Sequence, residues 1–221
     1  MLLFFLILIA MTLASFTGLV VDRLPLGLSI ITGRSRCDHC QSRLRPFELI
    51  PLFSFLIQGG YCRHCKAKLS WLYPTLEVLF SLLFILAYYQ LLDLPESLIL
   101  IASLLLSILD FRHQEIPFSL WLFFALLITA INGFSLSQVL WLSFALIAFF
   151  WDLKIGPGDF LWLFLIAGDI PLLKQVKILE IASISGILYY IILKKKGAIP
   201  FIPFLSIGYL GLLIWEKIPS L

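Results

Sequence analysis

Eight apolar stretches, at about 2–21, 75–92, 94–109, 117–131, 136–151, 160–173, 176–193 and 199–215, follow one another along the chain. Short breaks separate most of them: Asp93-Leu94-Pro95-Glu96, Asp110 to Pro117, Asn132-Gly133, Asp152 to Asp159, Lys174 to Lys177 and Lys194-Lys195-Lys196-Gly197. A bilayer-spanning helix needs roughly 20 mainly apolar residues, and fewer where it ends against protein. With 61% hydrophobic and 13% charged residues, the chain carries about half the charge of a soluble domain. There is too little polar surface to solvate a globule of this size, so lipid must surround most of it. The pattern predicts an all-α membrane protein of about eight transmembrane helices. Two domains are expected. Residues 1–93 would hold helix 1, a small cytoplasmic loop domain (22–74) and helix 2, and residues 94–221 would form a helical membrane domain.

Charge orients the chain. No Lys or Arg precedes Arg23, so the first stretch lacks the basic start of a secretory signal and reads as a spanning helix with its N-terminus outside. With the following loop in the cytoplasm and strict alternation after it, only Lys174, Lys177 and Lys217 of the 16 lysines and arginines fall on the outer side. That is the bias of the positive-inside rule. The net charge of +3 comes with no basic tract of the kind that binds nucleic acid.

All four cysteines lie in the long loop, as Cys37-Asp38-His39-Cys40 and Cys62-Arg63-His64-Cys65. Two CxxC knuckles can present four thiolates to one tetrahedral Zn²⁺. The nearby Arg34, Arg36, Arg63 and Lys66 favour thiolate over thiol. Structural disulfides are disfavoured on the reducing side of the membrane, and no thioredoxin-like βαβ pattern supports a redox pair. The expected metal is zinc in a structural role, because four cysteines fill the shell. His39 and His64 are read as solvated or as neighbours of the ligands, in preference to ligands in place of a cysteine.

Two acids stand out. Asp110 closes helix 3, and Asp159 opens helix 6 in Gly156-Pro157-Gly158-Asp159. The topology brings both to the cytoplasmic membrane edge although they are 49 residues apart. Ionisable groups at such a depth are candidate functional residues. Two carboxylates in a partly dehydrated site share a proton, one acting as acid and one as base. Gly156 and Gly158 allow close backbone approach. The competing reading has Asp159 as a helix-capping acid and Asp110 paired with Arg112 or Lys154. Sequence physics alone leaves both open.

The motifs together resemble those of type IV prepilin peptidases, the GxGD membrane aspartyl proteases, over almost the whole chain. Ala14-Ser15-Phe16 through Arg23-Leu24-Pro25, the paired knuckles, Tyr73-Pro74-Thr75-Leu76-Glu77, Asp110 to Pro117, Gly156-Pro157-Gly158-Asp159 and Ile199-Pro200-Phe201-Ile202-Pro203-Phe204 are similar to that family's motifs in their order. The resemblance implies that Asp110 and Asp159 are the catalytic dyad. It implies cleavage of prepilin or pseudopilin leaders in the bacterial cytoplasmic membrane, after a glycine at the cytoplasmic edge. Many members also N-methylate the new terminus with S-adenosylmethionine, an activity associated with the N-terminal cytoplasmic region. Short Gram-positive members process pseudopilins of DNA uptake. The chain departs from the family at Leu161, where lysine is common, at Asp38, where proline is usual, and at Leu49-Ile50, where Asn-Ile is common.

Glu77 is read either as part of the active-site edge or as an acid at a helix start, and His113 and Glu115, beside Asp110, as a solvated loop in preference to groups that assist catalysis or bind substrate. A non-catalytic membrane scaffold, its zinc loop docking a cytoplasmic partner, is the alternative. An ion-coupled carrier ranks last, because the inverted-repeat symmetry of many transporters is absent. Oligomeric state is not legible.

Overall fold

A computed structural model describes residues 1–31, 35–37, 39–151, 155–194, 197 and 199–217. Lys154, Asp38 and Arg34 lie outside the described residues. The chain forms two compact units, Met1–Leu92 and Asp93–Leu221.

In the first unit α1 (Leu2–Arg23) packs against α3 (Leu72–Tyr88), and a loop carrying the short α2 (Phe53–Ile57) joins them. The helices approach closely at Gly18, where a Cβ would lie 2.7 Å from the Tyr73 ring. That ring continues to the end of α1, where Tyr73 Oη donates to Asp22 Oδ2 at 2.7 Å. The buried Glu77 of α3 accepts from the Leu52 N–H of the loop at 2.7 Å. Leu52 has φ 57°, a positive value uncommon for leucine, at the start of α2. One buried acid thus ties the loop to α3.

The second unit holds α4 (Leu94–His113), α5 (Phe118–Asn132), α6 (Leu136–Phe150), α7 (Pro157–Ile166), α8 (Leu172–Leu193) and α9 (Ile202–Lys217). Their starts are written locally. Glu96 reaches back to the Asp93 N–H at 2.8 Å, and Ser135 with Gln138 forms a reciprocal capping box. The short α7 is the core, in contact with α4, α5, α6 and α9. Residues Trp162 to Ile166 are all buried. Two indoles hold it in place: Trp121 Nε1 donates to the Leu161 carbonyl at 2.7 Å, and Trp162 Nε1 donates to Ser103 Oγ at 2.9 Å.

Every expected apolar helix is present. The largest boundary difference is α7, expected over 160–173 but ending at Ile166. A turn through Gly168 and Asp169, followed by Pro171, stops it. Leu2–Leu26, α4 and α8 are each long and apolar enough to cross a membrane. Large apolar side chains face outward on many of the helices, with Ile184, Ile187, Ile191 and Leu173 exposed on α8 alone. Exposed apolar surface of that extent requires lipid rather than water as solvent.

Candidate active site and four-cysteine centre

Asp110 sits in the last turn of α4. Gln114, at φ 54°, ends the helix with its N–H on the Asp110 carbonyl at 3.0 Å. Pro117 then keeps Ile116 out of helical geometry. Asp159 is the third residue of α7, after Gly156 at the cap and Pro157 in the first position, where a missing N–H costs nothing. The Asp159 N–H closes on the Gly156 carbonyl at 3.1 Å. The α4 and α7 helices touch, and the Asp110 carboxylate lies within electrostatic reach of Asp159. Two acids distant in sequence therefore lie near one another at one end of this unit.

Their surroundings differ. Asp110 Oδ2 accepts the Ile202 N–H at 3.1 Å, at the first residue of α9. No donor among the described residues reaches the Asp159 carboxylate. The two glycines differ as well. A Cβ on Gly158 would overlap the Ile116 side chain, whereas one on Gly156 would, among the described residues, meet only Asp159 Oδ2, at 3.7 Å. His113 and Glu115 are exposed. The roles of the Ile202 amide and of Ile116 escaped the sequence reading. The only sequence signal was the pair of prolines, Pro200 and Pro203, bracketing the α9 start.

Asp169 lies beyond the end of α7. It accepts from Tyr209 Oη at 3.2 Å and from Asn132 Nδ2 at 3.4 Å. Close by in the fold, Lys217 pairs with Glu96 at 2.6 Å. This polar cluster fastens the opposite end of the unit.

In the first unit the four cysteines converge. Their sulfurs lie within 4.8 Å of one another, with Cys37–Cys65 at 3.9 Å and Cys40–Cys62 at 4.0 Å. Disulfide sulfurs would be about 2.05 Å apart. A tetrahedral Zn²⁺ with bonds of about 2.3 Å has S···S edges of roughly 3.8 Å, so these spacings fit a tetrathiolate metal site.

Both knuckles fold alike. The Cys37 N–H donates to the Ser42 carbonyl and the Cys62 N–H to the Ala67 carbonyl, at 3.0 and 2.8 Å. Left-handed residues, Gln41 and Lys66, follow in equivalent positions. The hydroxyl and amide of Ser42 bring the Cys40 thiol down to about 6. The Cys65 and His64 amides lower that of Cys62. The Ala67 amide favours the Cys65 thiolate, but desolvation and the neighbouring sulfurs outweigh it and push Cys65 up to about 11. Four sulfurs this close need a cation to ionise together. A cleft of about 1060 Å³ adjoins this region, lined in part by Asp22, Arg23, Glu48, Tyr73 and Glu77.

These features define a polytopic helical membrane protein with an acid pair in one unit and a metal-competent cysteine cluster in the other. Residues 8–91 match the family model of the bacterial peptidase A24 N-terminal domain. The chain is 31% identical to the prepilin leader peptidase/N-methyltransferase of Bacillus subtilis, over 89% of this chain and 87% of that protein. It is 32% identical to the type 4 prepilin-like proteins leader peptide-processing enzyme of Escherichia coli, over 82% and 75%. Against the prepilin leader peptidase/N-methyltransferase of Pseudomonas aeruginosa the identity is 30%, over 96% and 90%. No solved structure matches significantly. The chain belongs to the prepilin leader peptidase/N-methyltransferase family.

Proposed function

We propose that this chain removes the leader of prepilins or pseudopilins, with Asp110 and Asp159 as the catalytic dyad. The proximity of those two carboxylates at one end of the second unit carries the reading. It is supported by relatives that are named for leader processing and are covered over most of their length.

The chemistry follows from two acids sharing one proton. One carboxylate takes a proton from water as its oxygen attacks the scissile carbonyl carbon. The other gives its proton to the carbonyl oxygen, forming a neutral gem-diol. As the C–N bond breaks, the carboxyl that gained the water proton passes it to the leaving amine. The gem-diol then returns a hydroxyl proton to the partner carboxylate and becomes the new carboxylic acid. Each aspartate ends in its starting state, and no covalent enzyme intermediate forms.

The four cysteines would hold a structural zinc, whose full thiolate shell leaves no position for water or substrate. Methylation of the new terminus belongs with the first unit. Its cleft is at the upper end of the usual range for a small-molecule cofactor, and Asp22 and Glu77 offer carboxylates to the cationic groups of S-adenosylmethionine. When bound, that cofactor supplies the methyl group. Charge distribution supports a cytoplasmic position for the cysteine loop and the dyad.

Mass spectrometry of a co-expressed pseudopilin tests both activities. Loss of the leader reports the peptidase, and a further ~14 Da on the new N-terminus, one methyl replacing hydrogen, reports the transferase. An uncut pseudopilin beside well-inserted enzyme would overturn the assignment.

A further inference from the structure

The α4 and α9 helices run antiparallel in a register fixed at three depths. Lys217 pairs with Glu96 at one end, at 2.6 Å. Ser206 Oγ and Ser107 Oγ share a hydrogen bond of 2.9 Å further along. At the other end Asp110 Oδ2 takes the Ile202 N–H at 3.1 Å. The α9 start is itself rigid. Pro200 and Pro203 fix φ on either side, and Ile202 and Leu205 are buried at 1% and 0% exposure. The first N–H groups of a helix have no partner within it, and the positive end of the helix dipole lies there, so an oxyanion fits. Asp159 has no equivalent support among the described residues.

We propose that the N-terminus of α9 is the positioning element of the peptidase: the Ile202 backbone N–H holds the Asp110 carboxylate in its reactive orientation. This deepens the dyad reading and rests on it. It also gives the Pro-Phe-Ile-Pro segment a role that its side chains do not express, since the working group is backbone.

The test removes the N–H without removing the helix. Ile202→Pro suits the first helical position, where proline is favoured, and deletes the donor. Ile202→Ala deletes the side chain and keeps the donor. An ester at position 202, introduced as the α-hydroxy acid analogue of isoleucine, keeps the side chain and deletes only the N–H. Cleavage of a purified pseudopilin is followed in detergent, together with melting temperature and the pH profile of kcat. The proline and ester variants are expected to lose on the order of 10–100-fold in kcat, as a misplaced catalytic group does. KM should stay within about twofold and the acidic limb of the kcat profile should be displaced. Ile202→Ala should melt earlier and keep the wild-type profile. If the ester variant matches wild type in kcat and pH profile, the positioning role is wrong. If Asp110→Asn itself still cleaves, the dyad assignment fails instead, and the two outcomes are distinct.

Discussion

Gly158 and Ile116 touch so closely that a Cβ on the glycine would overlap the isoleucine side chain. Ile116 follows Asp110 by six residues and Gly158 directly precedes Asp159, so this contact locks the segments bearing the two acids together. The overlap falls on the δ-methyl of Ile116, which can rotate away, so Gly158→Ala should shift Ile116 and cost about 10-fold in cleavage through a small displacement of the dyad. Adding Ile116→Ala, which clears the space, should recover much of it. Gly156→Ala, with its nearest neighbour at 3.7 Å, should stay within a few-fold of wild type. Pseudopilin processing by these variants at matched membrane levels checks the order. Equal effects at both glycines would exclude the packing explanation.

Replacing either aspartate separates catalysis from folding. Asp110→Asn and Asp159→Asn should each reduce cleavage by about 10³-fold or more, roughly the loss of acid–base assistance together with attack geometry. The amide oxygen that Asp110→Asn introduces can still accept the Ile202 N–H, so insertion and melting temperature should barely change. The discriminating measurement is single-turnover cleavage alongside thermal unfolding in detergent. A non-catalytic scaffold would tolerate both changes.

Much of this was legible in the chain itself. The apolar runs mark the helices because lipid imposes one length scale on them all, and the CxxC spacing marks the metal-competent knuckles. Gly156 to Asp159 shows a helix start through Pro157 and the acid behind it. The helix boundary was harder to read. Apolar residues continue to Ala167, and the turn through Gly168 and Asp169, with Pro171 beyond it, ends α7. The support of Asp110 was invisible for a different reason: its donor is a backbone N–H 92 residues away, and a backbone group leaves no mark on residue identity. The need for glycine at 158 likewise depends on which side chain the fold places opposite.

The far end of the second unit should bear on stability alone. Tyr209 is fully buried and donates to Asp169 at 3.2 Å. Tyr209→Phe should lower stability by about 1–2 kcal/mol, the cost of losing a buried hydrogen bond to a carboxyl. Cleavage measured well below the melting temperature should be unaltered, because the dyad sits at the opposite end. A large fall in kcat with normal stability would mean that Asp169 takes part in the reaction.

The cysteine centre makes a prediction with a defined sign. Zinc binds thiolates and displaces their protons, so its affinity must fall as pH falls. In the metal-free loop Cys65 sits at about 11, well above neutral pH. Each unit of acidification therefore weakens binding by about tenfold through that group alone. Below about pH 6 protonation of Cys40 steepens the slope. Purified protein should carry one zinc per chain, and competition with a chromophoric chelator across about pH 5.5 to 8 should show that dependence. Cys62→Ser, at a residue 1% exposed, should abolish binding and expose the loop between α1 and α3 to protease. The second unit would keep its helices, so a variant that loses zinc and loop protection yet still cuts prepilin would place the metal in the structure of the first unit and outside the hydrolytic step. A flat affinity from about pH 8 to 6 would mean that the four sulfurs do not act together as the ligand set.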